Sequence, residues 1–459
     1  MSTEKTGFLA QIKSYPSTFW VANTMEIFER MSWYGWFTVM AVYVTGSVET
    51  GGLGFSTETR GLLQGIVPFF LYLMPVLTGA LADRYGYKKM FILAFLIMIA
   101  SYYLLGQAQK VPTFFLAFMF VAVGAAIFKP VVVGTVARVT DESNSATAFG
   151  IFYMMVNIGG FVGPIVAGIV RGKGWEWVFV ACSGWAVLNL LIVLLFYREP
   201  TTEATSAQRR TLKKVLDDLV EVLGNLRFFI TVGVVLVLLM AGNVLSILGV
   251  WWFTWPRCLL ACVGWIVLNF LYDAFLWSES EEQAPEQAEF PGFRRPFFLK
   301  RMHCSNWRFA LFLLIMSGFW TSFNQIFYTM PEYLRDFVQT RPLLHFAETV
   351  TFHAGKDDSG ETWVARKLAT ISEEERHVIA ESVGSLVAAA QRGTLDEETI
   401  RKTCKELRLS KIRLTPEEMR TIVTAVGTTA EEATKAVIHL GRQVNPEYIV
   451  NIDAGAIVL

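Results

Sequence analysis

The sequence predicts an all-α polytopic membrane protein carrying a soluble, mostly helical insert, and three observations predict it. Hydrophobic residues fill 53% of the 459 positions, and the mean hydropathy is +0.42. Charged residues reach only 17%, where soluble domains run at about 25%. Of the 40 basic and 40 acidic side chains, 31 fall between Thr340 and Val444, so the rest of the chain is poorer still. The balanced charge gives no net basic signal for nucleic acid. Composition also excludes a collagen, a disordered tail and a disulfide scaffold.

A membrane helix needs about 20 mostly apolar residues. Such stretches run over 17–46, 60–82, 88–108, 112–137, 145–170 and 176–197, then 228–253, 258–277 and 307–337. The residues from Tyr448 onward open a tenth. The N-terminus lacks the short apolar core and cleavage site of a secretory signal, so the first run is kept as a span. With a cytoplasmic N-terminus, the inside loops carry Lys5, Lys13, Arg84, Lys88, Lys89, and two basic groups over 198–227 and 294–308. The outside loops hold only Arg60, Lys110, Arg171, Lys173 and Arg257. This asymmetry predicts a multi-pass protein of the cell (inner or plasma) membrane, with residues 340–444 on the outer face. The expected organisation is a six-helix bundle over 1–200, a cytoplasmic linker with an extra helix pair over 201–305, one span over 306–339, the insert over 340–444, and the start of a further helix over 445–459.

The insert reads as a helical unit. Ser372-x-x-Glu375, Thr415-x-x-Glu418 and Thr429-x-x-Glu432 are capping boxes that open helices. Val378, Ser382-Val383 and Leu386-Val387 space one buried face. Near-equal acid and base suit a solvated domain rather than an anion-binding surface. His345, His353, His377 and His439 are scattered, and Cys182, Cys258, Cys262, Cys304 and Cys404 include no C-x-x-C pair. No metal site or disulfide framework follows.

The most informative segment lies inside the first span, Met25-Glu26-Ile27-Phe28-Glu29-Arg30. Each ionisable residue at mid-bilayer costs about 2.5–3.5 kcal/mol. At i, i+3 and i+4 the three share one helix face, which must meet protein or a water-filled cavity. Two carboxylates and one guanidinium leave an excess negative charge, and Lys129 of the fourth span supplies the balancing cation. A static ion cluster joining two helices is one reading; a proton and substrate site is the other. Buried charge is a costly glue that apolar packing could replace, which favours the site. Two adjacent carboxylates cannot both ionise cheaply, and Arg30 keeps its charge throughout. No histidine lies in any span, so proton handling falls to Glu26 and Glu29. Gly159 and Gly163 form a small-x-x-x-small face, and Pro130 and Pro164 bend their spans. These suit close packing or hinge points.

Four patterns occur in order: Glu26-x-x-Glu29-Arg30 with Tyr34-Gly35; Gly79-Ala80-Leu81-Ala82-Asp83-Arg84-Tyr85-Gly86 running on to Lys88-Lys89, with Tyr87 where arginine is usual; Phe128-Lys129-Pro130-Val131; and Phe152-Tyr153-x-x-x-Asn157-x-Gly159. Together they resemble the signatures of the proton-dependent oligopeptide transporters, a branch of the major facilitator superfamily. The resemblance equates 228–253 and 258–277 with the extra helix pair of bacterial members and the ninth span with core helix seven. Val444-Asn445-Pro446 resembles the opening of core helix eight. The chain is therefore expected to be C-terminally truncated relative to the family, and the insert matches nothing in it.

The resemblance implies proton coupling by Glu26, Glu29, Arg30 and Lys129. It implies substrate binding by Arg30, Tyr34, Tyr72, Lys129, Asn157, Trp320 and Gln325, joined by Asn445. Arg30 and Lys129 suit a peptide's terminal carboxylate; Tyr72 and Trp320 fit ordinary aromatic packing equally well. Gly79, Asp83, Arg84 and Gly86 form the implied gating motif, with Asp83 and Arg84 as a latch. Phe323 stands where many members carry a glutamate, which removes a carboxylate for a peptide's amino terminus. Trp33 replaces a tyrosine, and Phe37 stands where some members have an arginine. The implied activity is proton-coupled symport of di- and tripeptides or related small solutes by alternating access. The proton gradient is its energy source, with no cofactor and no metal, and its partners are the bilayer, protons and a small solute. Oligomeric state is not fixed by sequence. A symporter for a non-peptide solute and a transporter-like sensor presenting the outer domain are the competing readings. No enzyme is expected, since neither a nucleophile–base pair nor H-E-x-x-H is visible.

Overall fold

The computed structural model describes residues 8–200, 226–247, 250, 252, 254–275, 307–351 and 362–451. Lys5, Arg209, Arg210, Lys213, Lys214, Arg294, Arg295, Lys300, Arg301, Cys304, His353 and everything after Asn451 lie outside them. Among the described residues the chain is helical, with one isolated antiparallel bridge between Ile412 and Arg442.

A short α1 (Phe8–Ser14) precedes α2 (Ser17–Thr45), which starts just after Pro16. Then come α3 (Thr57–Leu73), α4 (Pro75–Tyr85), α5 (Tyr87–Gln107), α6 (Val111–Arg138), α7 (Ser145–Arg171) and α8 (Glu176–Leu195). The stretch 60–82, expected as one span, is a bent pair whose halves meet at 42°. Pro75 cannot donate to the carbonyl four residues back, and its ring crowds the preceding turn, so the helix breaks there. By length and apolar content α5, α6, α7, α8 and two later helices, Trp255–Phe275 and Trp307–Tyr328, can each cross a bilayer, and α3 with α4 makes a seventh crossing if the pair is one span. Glu26, Glu29 and Arg30 dilute the apolar average of α2. Inside the bundle Trp36 is fully buried among Phe114, Phe118 and Phe179. Outside it Leu93, Leu96, Leu116, Phe120, Leu191 and Leu195 stay exposed. Helices apolar on both the packed and the exposed side are membrane spans.

Packing divides the chain into two compact units, 1–207 with 324–459, and 208–323. The second holds α9 (Leu226–Ile247), α10 (Trp255–Phe275) and most of α11 (Trp307–Tyr328). Buried Asp273 of α10 pairs with Arg227 of α9, and the Thr231 hydroxyl donates to Asn269 Oδ1 at 3.3 Å. Such polar contacts join helices where apolar contacts alone give no preference over lipid.

In the first unit α12 (Met330–Phe337) leads to the insert: α13 (Arg341–Val350), α14 (Trp363–Leu368), α15 (Glu373–Gln391), α16 (Glu397–Glu406), α17 (Pro416–Val423) and α18 (Ala430–Gly441), followed by α19 (Pro446–Val450). All three capping boxes form. The hydroxyls of Ser372, Thr415 and Thr429 accept the N–H of Glu375, Glu418 and Glu432, whose carboxylates accept the cap N–H in return. Ile379, Val383, Leu386 and Val387 of α15 pack with Met419, Ala433 and Val437 into a core of their own. Val378, expected on that face, is only half-buried, and Ile379 takes its place. The reason is periodicity: Ile379 lies four residues before Val383, whereas Val378 lies five and turns off the stripe. The insert's two ends are stitched together. Gln443 Oε1 accepts the Thr340 N–H at 2.6 Å, and Thr340 Oγ1 accepts the Val444 N–H at 2.8 Å.

Candidate functional site

The face of α2 carrying Glu26, Glu29 and Arg30 turns inward, with the two carboxylates 0% and 1% exposed. Arg30 Nε donates to Glu29 Oε2 at 2.5 Å and lies 3.5 Å from Glu26 Oε1. Lys129 of α6 donates to Glu26 Oε1 at 2.5 Å. The four side chains therefore form one cluster of zero net charge. Aromatic faces border it: Arg30 lies 5.8 Å from the Tyr34 ring centroid, and Lys129 lies 5.1 Å from that of Phe152. Glu26 Oε2 and Glu29 Oε1 are buried with no hydrogen-bond partner among the described residues. A buried carboxylate oxygen left without a donor is a place for a proton or a water.

Close approach of α2 and α7 fixes this geometry. A Cβ on Gly159 would lie 2.5 Å from the Ile27 carbonyl oxygen and 2.6 Å from Arg30 Cβ; one on Gly163 would lie 2.6 Å from the Met31 carbonyl oxygen. Backbone atoms cannot give way as side-chain ends do, so Gly159→Val must push α2, and Arg30 with it, off α7. Thermal unfolding in detergent should show a loss of about 1–3 kcal/mol. An unchanged midpoint would mean that the helices part without cost.

The other expected site residues divide. Tyr34 joins the cluster and packs against Phe327 with ring centroids 5.4 Å apart. Tyr72 is 71% exposed. The Asn157 amide returns to the Tyr153 carbonyl of its own helix at 2.9 Å, and Gln325 accepts the Thr329 hydroxyl at 2.5 Å. Trp320 lies in the second unit, packed edge-on to Phe319 and Phe323. Asn445 does not line an open wall. It is fully buried with its side-chain amide unpaired, held where its backbone N–H donates to the Leu368 carbonyl at 2.8 Å.

In the loop motif Asp83 accepts Arg138 Nη2 at 2.8 Å and the Tyr87 hydroxyl at 3.1 Å, and Arg138 lies 4.1 Å from the Tyr87 ring centroid. Arg84 lies over Tyr85, 5.4 Å from its ring centroid. Gly79 abuts Pro130, where a Cβ would sit 3.3 Å away. Gly86 takes φ +95°, a left-handed-side conformation suited to glycine, and the next N–H, of Tyr87, donates to the Glu199 carboxylate at 2.7 Å.

Two ion pairs went unnoticed in the sequence. Arg60 of α3 meets Glu332 of α12 at 3.1 Å and donates to the Tyr328 carbonyl, while Thr45 donates to the same glutamate at 2.7 Å. Arg171, at the end of α7, makes bonds of 3.0 and 3.1 Å to the two oxygens of Glu447 in α19 and lies 3.8 Å from Glu375. Lys411 completes that cluster, 2.9 Å from Glu375, at a left-handed φ of +61°. Burial, with the nearby Arg171 charge, pushes the Lys411 amine down to about 8. The only signal for either pair was a lone arginine at the end of an apolar run.

A family model described as Major Facilitator Superfamily matches residues 27–255. "Peptide transporter YePEPT" of Yersinia enterocolitica is 30% identical over 180 residues, 38% of this chain and 34% of that protein. "Dipeptide and tripeptide permease B" of Aliivibrio fischeri is 26% identical over 191 residues, 40% of this chain and 37% of that protein. The chain thus spans about a third of the length of these relatives. A crystal structure of a peptide transporter POT in complex with sulfate overlays with a TM-score of 0.46 and 17% identity, covering 99% of this chain and 96% of that one. Residues 27–255 thus match the Major Facilitator Superfamily, and with the motifs of α2, α4, α6 and α7 this part of the chain is similar to that superfamily's peptide transporters.

Proposed function

We propose that the chain carries the proton and substrate site of a symporter for di- and tripeptides or related small solutes, working by alternating access. The observation that carries this reading is the zero-charge cluster of Glu26, Glu29, Arg30 and Lys129, with one oxygen of each carboxylate unpartnered. A proton on Glu29 weakens its hold on Arg30, and the freed guanidinium can take a substrate carboxylate by charge-assisted bonds. Binding and protonation are then linked, because each relieves the charge that the other leaves. Tyr34, Tyr72, Asn157 and Gln325 are proposed to shape the substrate cavity. Arg60–Glu332 and Arg171–Glu447 tie α3 to α12 and α7 to α19, and are proposed to hold one end of the pathway shut. The excess of basic residues in alternate loops supports a cytoplasmic N-terminus with the insert on the outer face. The proton gradient supplies the energy, and no cofactor is called for.

Uptake of labelled dipeptide into proteoliposomes under an inward pH gradient tests this. Accumulation that a protonophore collapses is expected; uptake indifferent to the gradient would exclude coupling. A second reading, a transporter-like sensor, draws support from the insert's own core. Specific ligand binding by the protein with no uptake would favour it.

A further inference from the structure

Arg171 stands between two glycines that bring other segments onto the end of α7. A Cβ on Gly168 would lie 2.6 Å from the Tyr448 hydroxyl of α19, and one on Gly172 would lie 2.6 Å from Thr370 Cγ2 in the insert. The end of a membrane helix is thus seated against both the insert and the helix that follows it. Four buried charges meet there, two of each sign. Lys411 lies 2.9 Å from Glu375, Glu375 lies 3.8 Å from Arg171, and Arg171 is bonded to Glu447. Glu375 is held from its own side, since its carboxylate also accepts the Ser372 N–H of the α15 capping box at 2.8 Å. The Lys411 amine donates as well to the Thr370 carbonyl at 2.6 Å.

Packed apolar groups would join these elements as firmly, because a buried ion network adds little against them. Lys411 carries two further burdens. It is buried, and among the described residues it is the one non-glycine with a left-handed φ, +61°. Strain and desolvation gathered on one cation point to a use beyond packing.

We propose that the insert is a lock on the outer end of the pathway, and that the charge on Lys411 sets how firmly it holds. This rests on the reading of Arg171–Glu447 as a contact that keeps one end shut. With Lys411 charged, Glu375 is shared between two cations, and the amine repels the Arg171 guanidinium. With Lys411 neutral, the whole Glu375 charge acts on Arg171 and the repulsion is gone, so α7, α15 and α19 are drawn together. The ionisable groups acting on the amine are Arg171 from α7, Glu375 from α15 and Glu447 from α19; Asp336 of α12 acts on Arg413 instead.

Burial, and after it the Arg171 charge, holds the amine at about 8 in the closed cluster, against an ordinary value of 10.5. Opening returns the amine to water and to its ordinary range, so the open state binds the proton better. The closed state therefore gains as pH rises through the interval from about 8 to 10.5. Below that interval the lysine is charged in both states and pH has no effect. An alkaline exterior is the condition in which the proton gradient runs outward and would drive solute out of the cell. The lock closes under that condition.

The test is hydrogen exchange of the purified full chain in detergent, read over the last turn of α7 and over α19 and corrected for the intrinsic rate. Protection in the unmodified chain should rise about tenfold between about pH 7 and about pH 9. Lys411→Met and Lys411→Gln, two neutral side chains, should show the higher protection at both values. Lys411→Arg, which keeps its charge, should show the lower protection at both. Downhill dipeptide exchange in proteoliposomes should slow by a similar factor at the higher pH, and Lys411→Arg should remove the slowing. The proposal is overturned if protection in the unmodified chain does not change with pH, or if a folded neutral variant keeps that change or stays at the lower level. Slowing that persists in Lys411→Arg overturns it as well. Hydrogen exchange needs no substrate, so an absence of dipeptide exchange at every pH counts against the symporter reading and leaves the cluster to be judged by its protection. A failure in protection, in turn, leaves the reading of the Glu26–Lys129 cluster untouched.

Discussion

Glu29→Gln is expected to abolish uphill, pH-driven uptake of a labelled dipeptide while leaving downhill exchange in place. Glutamine keeps the size of the glutamate and fixes the neutral state. The 2.5 Å bond from Arg30 to Glu29 loses its charge, and Arg30 is left to Glu26, now 3.5 Å away. The substitution thus mimics a permanently protonated site, in which a solute can bind and cross but no proton is handed over. A pH unit is worth about 1.36 kcal/mol, so each unit of gradient supports roughly tenfold accumulation when one proton accompanies each solute. In the variant that ratio should fall to parity, read as the internal concentration of labelled dipeptide at steady state. Accumulation equal to the unmodified protein's would remove Glu29 from the coupling.

Glu447→Ala is expected to cost about 3–5 kcal/mol, the price of a buried charge deprived of its partner. Arg171 and Glu447 have side chains only 4% and 1% exposed, and Nη1 of the guanidinium donates to both carboxylate oxygens. Without Glu447 the guanidinium keeps the Trp175 face, 4.5 Å from its ring centroid, and Glu375, at 3.8 Å, which already serves Lys411. The loss should appear as a lower thermal midpoint and as faster hydrogen exchange in α15 and α19, the elements this cluster joins to α7. Replacing both residues with methionine should restore much of the stability, since a buried pair is worth little against packed apolar groups. A change within about 0.5 kcal/mol for Glu447→Ala would show that water reaches Arg171.

Much of the site was legible because its signals are local. Charge inside an apolar run marks itself, and the spacing of Glu26, Glu29 and Arg30 sets their common face. The demand for neutrality pointed to Lys129 across 103 positions, and the structure has that contact. The capping boxes were legible for the same reason, each being complete within four residues. What escaped depends on distance along the chain. Arg138 is 55 residues from Asp83, and Glu447 is 276 from Arg171; no periodicity in either segment announces the other. The break at Pro75 was a local signal overridden by reading hydropathy alone, which does not register a missing N–H. Asn445 was carried over by motif, and the buried turn joining the insert to α19 took it away from any open surface.

The most direct test of the account follows protons rather than solute. The protein is reconstituted into vesicles holding a pH-sensitive dye, and unlabelled dipeptide is added outside with no gradient imposed. The account predicts acidification of the interior as dipeptide enters, and none in Glu29→Gln vesicles, where dipeptide still enters downhill. Dipeptide entry without acidification in the unmodified protein, or equal acidification in the variant, would contradict it.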